Sequence, residues 1–175
     1  MKTLLLSVKP FQETLNASMC GPASLKMVFD YYGIEKTEEE LAKLCNVNKE
    51  LGTDDKTMKK VAESFGFKVE IKNFSSFEDI EKWLKKGVPV IVDWFSPGRM
   101  DKEESEMPDG HSSIVVGLDL EYIYLQDPET GGLRKLKRED FYRVWFDFRK
   151  NHITNWEEMV IRQIIAIYKS STKKV

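Results

Sequence analysis

A cysteine stands at the start of a predicted helix, in the segment Met19-Cys20-Gly21-Pro22-Ala23-Ser24. The unpaired amides of a first helical turn and the helix dipole favour negative charge, and they can lower a cysteine pKa of roughly 8.5 by one unit or more. Cys20 is therefore a candidate nucleophile. Taken alone, the position is more typical of core packing, because cysteine is among the most buried residue types.

A histidine and an aspartate stand at the open end of a predicted β-hairpin. His111 begins one β-rich run, Asp127 ends the next, and a short acidic connection separates the two runs. If this connection consists of residues 118–120, His111 lies directly opposite Asp127 on one face of the sheet. A connection one residue shorter would instead pair Ser112 with Asp127, and His111 would turn to the other face.

These residue types together fit thiol catalysis. Taken singly, His111 is a polar residue at a loop–strand junction and Asp127 is the first residue of a turn. Taken with Cys20, they supply a nucleophile, a base and an acceptor that fixes the tautomer of the base. Gln12, eight residues before Cys20 on a non-helical segment, is a candidate oxyanion donor together with the Cys20 backbone amide. An exposed glutamine without a role is the alternative for Gln12.

The elements that must position these residues are mostly helices first and strands later. The first helix follows Cys20 and ends at Gly33. Capping signals begin a second helix at Thr37, a third near residues 52–54 and a fourth at Ser76. In the second helix the predicted buried stripe consists of Leu41, Leu44 and Cys45. Strands are predicted over residues 67–71, 88–95 and 161–168, and the segment 96–110 as a loop, either a solvated connector or a flap over a cleft.

Composition limits the class of protein. The 175 residues suit one compact globular domain, with 41% hydrophobic and 32% charged residues. A net charge of -2 argues against nucleic acid as a partner. The opening run Leu4-Leu5-Leu6 is too short for a signal peptide or a membrane span, so a cytoplasmic location is predicted. Cys20 and Cys45 are interpreted as free thiols, since a lone disulfide is unusual in that compartment.

The residues above resemble the bacteriocin-processing peptidases, the papain-like double-glycine leader peptidases that are numbered thirty-nine among the cysteine peptidase families. The similarity covers about residues 10–146 of this chain. This chain departs from the family pattern at Met19, because members of the family frequently have an aspartate just before the cysteine. Many family members are fused to an ATP-driven exporter, and this chain, without a predicted membrane helix or phosphate-binding loop, resembles a free-standing, peptidase-like branch. The motifs that carry the resemblance are Gln12, Met19–Ser24, Tyr31–Gly33, Gly110-His111, Val115–Gly117, Asp127-Pro128 and Gly131.

The resemblance implies a fold, an activity and roles. The fold is α+β and papain-like over residues 1–175, with a helical half headed by the nucleophile and an antiparallel β half that carries the base. Cys20 is implied as nucleophile, His111 as general base and acid, Asp127 as the residue that orients His111, and Gln12 as oxyanion donor. The expected activity is hydrolysis of a peptide or amide bond in a peptide or protein substrate through an acyl-enzyme, without a cofactor or metal. A catalytically silent peptide-binding module and an acyl transferase to amines are the alternatives.

Overall fold

The computed structural model describes residues 4–15, 18–48, 52–96, 109–148 and 153–170. Within these ranges the helices lie mainly in the first half of the chain. They are α1 (Cys20–Tyr31), α2 (Glu38–Leu44), α3 (Asp55–Ser64), α4 (Phe77–Leu84) and α5 (Arg138–Val144), with a short 3-10 turn at Trp156–Glu158. The strands are β1 (Leu4–Leu5), β2 (Phe67–Lys72), β3 (Val90–Ser96), β4 (Asp109–Leu118), β5 (Tyr122–Asp127), β6 (Gly132–Lys137), β7 (Phe146–Phe148), β8 (Met159–Ile161) and β9 (Ile164–Lys169).

One antiparallel sheet organises the molecule. Its strands follow the order β2-β9-β3-β4-β5-β6, and β1 pairs with the end of β4. Strand β4 pairs with β3 over residues 109–115 and with β5 over residues 114–118, so its first residues extend along β3 beyond the end of the pairing with β5. Strands β7 and β8 form a separate pair. The predicted α+β, papain-like architecture is confirmed.

Two apolar clusters cover the two faces of the sheet. One packs α1, α2 and α3 against inward residues of β3, β4 and β9, with Phe29 and Met58 at its centre. The other packs α4 and α5 against the opposite face, with Trp94 and Phe141 fully buried. A sheet covered on both faces holds its strands firmly, so side chains at the ends of β4 and β5 are presented from a rigid base.

The helix starts follow the local chemistry that predicts them. α1 begins at Cys20, and Gly33 follows its end with φ of 77°. At α2 the Thr37 side chain accepts from the Glu40 amide at 3.1 Å, and the Glu40 carboxylate accepts from the Thr37 amide at 2.9 Å.

The prediction that Leu44 points inward is wrong, since its side chain is 47% exposed. α2 ends at Leu44 after only two turns, and Leu41 and Cys45, four residues apart, occupy its buried face.

The predicted register of the β4–β5 hairpin is also wrong. Leu118 pairs with Ile123, and a β-bulge between Val115 and Gly117 shifts the pairing so that Ile114 lies opposite Gln126. The turn is longer than predicted because the Asp119 carboxylate accepts from the amides of the second and third residues after it, at 2.9 and 2.7 Å. The net displacement from the predicted register at the open end is two residues. Since side chains alternate faces with a period of two, the predicted faces are preserved.

The predicted loop 96–110 overlaps the described residues only at its ends. Ser96 is the last residue of β3, and β4 begins at Asp109, directly opposite it. The pairing of β3 with β4 therefore includes Ser96, Asp109 and Gly110, which the sequence assigns to the loop. Residues 97–108 lie outside the described residues.

Candidate active site

Cys20 is the first residue of α1, and its side chain is half-buried. Close packing supports this helix start. A Cβ on Gly21 would lie 3.1 Å from Thr53 Cβ, so the residue after the cysteine lies tightly against the segment that leads into α3. The Ala23 amide donates to the Met19 carbonyl at 2.9 Å. The thiol is thus carried on the first turn of a packed helix, where amides without intrahelical partners lie near it.

His111 and Asp127 are in direct contact. Nε2 of His111 lies 2.7 Å from Oδ1 of Asp127, and both residues are buried. The observed register, continued by one pair, brings Ser113 opposite Asp127, and His111 lies on the same face two residues along β4. The predicted contact is therefore diagonal rather than directly opposed, a separation that long side chains span. Trp94, opposite His111 on β3, packs edge-on against the imidazole with ring centroids 6.0 Å apart.

The Cys20 side chain lies near enough to His111 for its hydrogen bonding and charge to be among the causes that raise the pKa of His111. Because Nε2 is engaged by Asp127, Nδ1 is the ring nitrogen that remains for the thiol. One imidazole thus connects a thiol and a carboxylate. The described structure brings Cys20, His111 and Asp127 together, as their residue types suggest from the sequence.

Arg134 is a neighbour of this group that sequence reasoning missed. Its Nη1 lies 2.7 Å from Asp127 Oδ2 and 3.7 Å from Glu129 Oε2, and its guanidinium lies over the Trp94 ring at 5.6 Å. The amide of Glu129 donates to Asp127 Oδ1 at 2.9 Å. The Asp127 carboxylate is therefore held by an imidazole, a guanidinium and a backbone amide. The alternation of β6 alone would not reveal this, because the contact depends on the β5–β6 register.

The protonation states follow from these contacts. Burial alone would lower the pKa of His111, but its hydrogen bonds to Asp127 and Cys20 and their charges outweigh burial and raise that pKa well above its usual range. Burial would raise the pKa of Asp127, yet the bond to His111 and the charges of His111 and Arg134 hold it below its usual value. The charged forms of the imidazole and the carboxylate thus stabilise each other. Burial raises the pKa of the Cys45 thiol to about 12, so that thiol stays protonated.

Gln12 lies beside the same turn on the segment that precedes α1. Its Nε2 donates to the Glu129 carbonyl at 3.2 Å in an exposed position. Gly131, with φ of 65°, permits this approach, because a Cβ there would lie 2.6 Å from Gln12 Cβ. The Gln12 side-chain amide is therefore near the Asp127 turn, and in this conformation it donates to a backbone carbonyl. Its role as oxyanion donor stays a prediction.

A metal-like grouping occurs among the same residues. His111, Asp127 and Glu129 each place one donor atom within 4.8 Å of the others. The guanidinium of Arg134 already lies against both carboxylates and supplies positive charge there. The donor set therefore fits an imidazole held by a carboxylate better than it fits a divalent cation, which would compete with Arg134.

The mixed α/β fold with its antiparallel sheet is that of the papain-like cysteine peptidases. The chain belongs to the Peptidase_C39 like family, whose model matches residues 5–153. This is the family that the sequence motifs resemble.

Known proteins similar to the chain agree with this family. The transport/processing ATP-binding protein ComA of Streptococcus pneumoniae is 32% identical over 128 residues, which cover 72% of this chain and 16% of ComA. The chain thus spans about a sixth of the length of the curated relatives it matches.

Two solved structures share the fold. The peptidase domain of Streptococcus ComA has a TM-score of 0.67 at 18% identity, with 93% of this chain and 99% of that domain covered. A double glycine motif protease from an AMS/PCAT transporter, solved in complex with the leader peptide, has a TM-score of 0.63 at 22% identity, with 97% and 100% covered. Among the residues described for the present chain, none of the helices has the length and apolar character needed to cross a membrane.

Proposed function

We propose that this protein is a thiol-dependent hydrolase that cleaves a peptide or amide bond through an acyl-enzyme on Cys20. The observation that carries the proposal is that the His111 side chain engages two partners at once. It contacts the Asp127 carboxylate at 2.7 Å, and the nearby Cys20 side chain is among the groups that raise the pKa of His111. A nucleophile, a base and a group that orients the base are the parts that covalent catalysis by a thiol requires.

In the proposed reaction His111 holds the proton that Cys20 gives up. The thiolate attacks the carbonyl carbon, a C–S bond forms, and the oxyanion accepts hydrogen bonds from the Cys20 amide and the Gln12 side chain. The imidazolium then protonates the departing nitrogen as the C–N bond breaks. Next, His111 takes a proton from water, and the resulting hydroxide attacks the thioester to release the acid and regenerate the thiol.

The substrate we propose is a peptide or protein. A structurally similar protease is known in complex with a leader peptide, which supports a peptide for this chain. Both cysteines are free, and an accessible thiol stays reduced in a compartment such as the cytoplasm. We therefore place the enzyme there.

A peptide pool tests the reaction class. Purified protein would be incubated with a randomised peptide mixture that includes Gly-Gly sequences, and new termini would be mapped by mass spectrometry, with Cys20→Ala as the matched control. New termini formed only by the wild-type chain support the hydrolase. Peptides retained without cleavage would support a binding module instead. Ligation to an added amine, in place of hydrolysis, would indicate a transferase.

Gln12→Ala should lower the cleavage rate about a hundred- to a thousandfold while leaving measurable activity, because one oxyanion donor is lost. The Gln12 Nε2 carries two N–H donors, so one can donate to the Glu129 carbonyl and the other to the oxyanion. Alkylation of Cys20 by iodoacetamide forms no oxyanion, so its rate should not change. If both rates fall together, Gln12 acts on the thiol or the fold and not on the oxyanion.

Asp127→Asn should lower kcat/KM roughly tenfold or more, because a charge-assisted hydrogen bond worth about 1.5–3 kcal/mol is weakened. The substitution keeps the shape of the side chain but removes the anion that faces His111 and Arg134. The measurement is the kcat/KM for a peptide cleaved by the wild-type chain. Asp140→Asn, at an exposed position of α5, is the matched control. Equal activity in both variants would contradict a role for the Asp127 charge.

A further inference from the structure

Arg134 is a cation of the candidate site that the proposed reaction does not use. It lies on β6 opposite Leu125, while Asp127 pairs with Gly132 two residues along the same face. Because Gly132 has no side chain, Arg134 reaches diagonally to the carboxylate, and its Nη1 lies 2.7 Å from Asp127 Oδ2. A guanidinium does not lose its proton in proteins, so this positive charge is constant.

Further contacts fix the guanidinium in this place. Its Nη1 donates to the Ser96 hydroxyl at 3.2 Å and lies 3.7 Å from Glu129 Oε2. The guanidinium also lies over the Trp94 ring, 5.6 Å from the ring centroid. The Arg134 side chain is 19% exposed, so water and salt screen its charge only in part. Arg134 therefore belongs to the site and is not a surface cation.

Asp127 has two cationic neighbours, which face different oxygens of its carboxylate. Nε2 of His111 lies 2.7 Å from Oδ1, and Nη1 of Arg134 lies 2.7 Å from Oδ2. The two contacts therefore do not exclude each other. The Asp127 side chain is fully buried, and a buried carboxylate without a cation beside it is strongly destabilising. His111 can lose its positive charge by giving up a proton, whereas Arg134 cannot.

The proposed reaction changes the charge of His111 in each cycle. When the imidazolium protonates the departing nitrogen, the ring becomes neutral and Asp127 is left as an anion beside it. Arg134 then remains next to the carboxylate as a cation and stabilises it. Arg134 also weakens the hold of Asp127 on the imidazolium, because the two positive charges near one carboxylate repel each other. Both effects favour release of the proton.

We propose that Arg134 is a positioning residue, which compensates the buried Asp127 charge and so allows His111 to give its proton to the departing nitrogen. This rests on the proposed function. Without Arg134, the charge of Asp127 would act on the imidazolium in full, and the ring would be a weaker acid. Proton donation to the leaving group would then be slower.

Other ionisable groups also face His111, and their charges stay in place when Arg134 is replaced. Burial raises the pKa of Asp93 to about 8 and that of Glu13 to about 7, so both carboxyls change charge in the range in which histidines titrate. A comparison between variants at equal salt therefore isolates the guanidinium. The ionisable groups that face His111 are Cys20 on α1, Asp93 on β3, Asp127 on β5 and Glu13 on the segment before α1.

Arg134→Gln should raise the titration midpoint of the His111 imidazole by roughly half a pH unit or more, because a cation is removed while the Asp127 anion stays. The midpoint would be read from the imidazole NMR signals of chains that also carry Cys20→Ala, so that no thiol titrates with the ring. The signals are simple to assign, since the chain contains only two histidines. Arg143→Gln, which removes the same charge from an exposed position of α5, should leave the midpoint unchanged.

A purely structural role for Arg134 predicts the opposite sign. A displaced Asp127 would support the imidazolium less, so the midpoint would fall, as it should in Asp127→Asn. A lowered or unchanged midpoint in Arg134→Gln would therefore overturn the proposal. Arg134→Lys, which keeps the charge, should bring the midpoint back towards the value found with arginine. A midpoint in Arg134→Lys as high as in Arg134→Gln would also count against it.

If Arg134→Gln fails to fold, the chain with the native arginine decides. The guanidinium NMR signals of Arg134 should shift with the same midpoint as His111, because both cations face one carboxylate. Guanidinium signals that do not respond to the His111 titration would overturn the proposal.

Two rates separate the role of Arg134 from the proposed function. With Cys20 present, Arg134→Gln should lower kcat/KM for peptide cleavage about twofold or more, since proton donation follows the acidity of the donor. Alkylation of Cys20 by iodoacetamide at pH 6 should stay rapid, because the imidazolium is retained. Loss of rapid alkylation would overturn the proposal. A raised midpoint in a chain that cleaves no peptide refutes only the hydrolase, whereas cleavage without a raised midpoint refutes only the Arg134 role.

Discussion

Replacing Cys20 with alanine should abolish peptide cleavage. No other group in the proposed mechanism can form the thioester, and removal of the nucleophile from a catalytic triad costs about a millionfold in kcat in a well-studied serine protease. Activity should therefore fall below detection for any peptide that the wild-type chain cleaves, measured as the initial rate of product formation by mass spectrometry. The expected loss is the largest that any single substitution in this chain should cause.

The matched control is Cys45→Ala. Cys45 is buried against the apolar cluster of α1–α3, where burial raises its thiol pKa to about 12. Its replacement should cost some stability, since a small core side chain is trimmed, but cleavage by the folded protein should continue. Retained cleavage in Cys20→Ala, or loss of cleavage in a folded Cys45→Ala protein, would mean that the nucleophile is wrongly assigned.

Replacing His111 with asparagine should have an effect of similar size, because one side chain supplies both the counter-charge of the thiolate and the proton for the leaving group. We expect kcat to fall by about 10⁴-fold or more. The Cys20 thiol should also lose reactivity toward iodoacetamide below pH 7, where the imidazolium that stabilises the thiolate is missing. The two readouts are kcat for cleavage and the alkylation rate of Cys20.

The other histidine of the chain provides the control. His152→Asn should change neither the cleavage rate nor the alkylation rate of Cys20. A His111→Asn protein that loses cleavage but keeps rapid alkylation at low pH would mean that another group stabilises the thiolate. That result would restrict His111 to proton transfer.

Local signals in the sequence are enough to predict where the reactive side chains begin their elements. The capping pattern at Thr37 and the glycine at 33 specify helix ends by short-range hydrogen bonds and backbone angles, so the structure reproduces them. The position of Cys20 on the first turn of α1 is predictable for the same reason. The predicted contact of His111 with Asp127 is present because the observed register differs from the predicted one by two residues, which keeps both side chains on one face.

The rest of the site depends on interactions between distant segments. The predicted hairpin register is wrong because the turn at Asp119 and the bulge near Val116 cannot be read from alternation. Arg134 reaches Asp127 only through the pairing of β5 with β6. Long-range packing of this kind has no periodic signature in the sequence.

Alkylation of the intact protein at pH 6 tests the central claim most directly, because it asks whether Cys20 and His111 form a reactive pair without needing a substrate. The protein would be treated with limiting iodoacetamide, and the modified residue would be identified by peptide mapping, with Cys45 as the internal control. We predict rapid modification of Cys20, none of Cys45, and loss of the rapid reaction in His111→Asn. Modification of Cys20 at pH 6 that is as slow in the wild-type chain as in His111→Asn would contradict it.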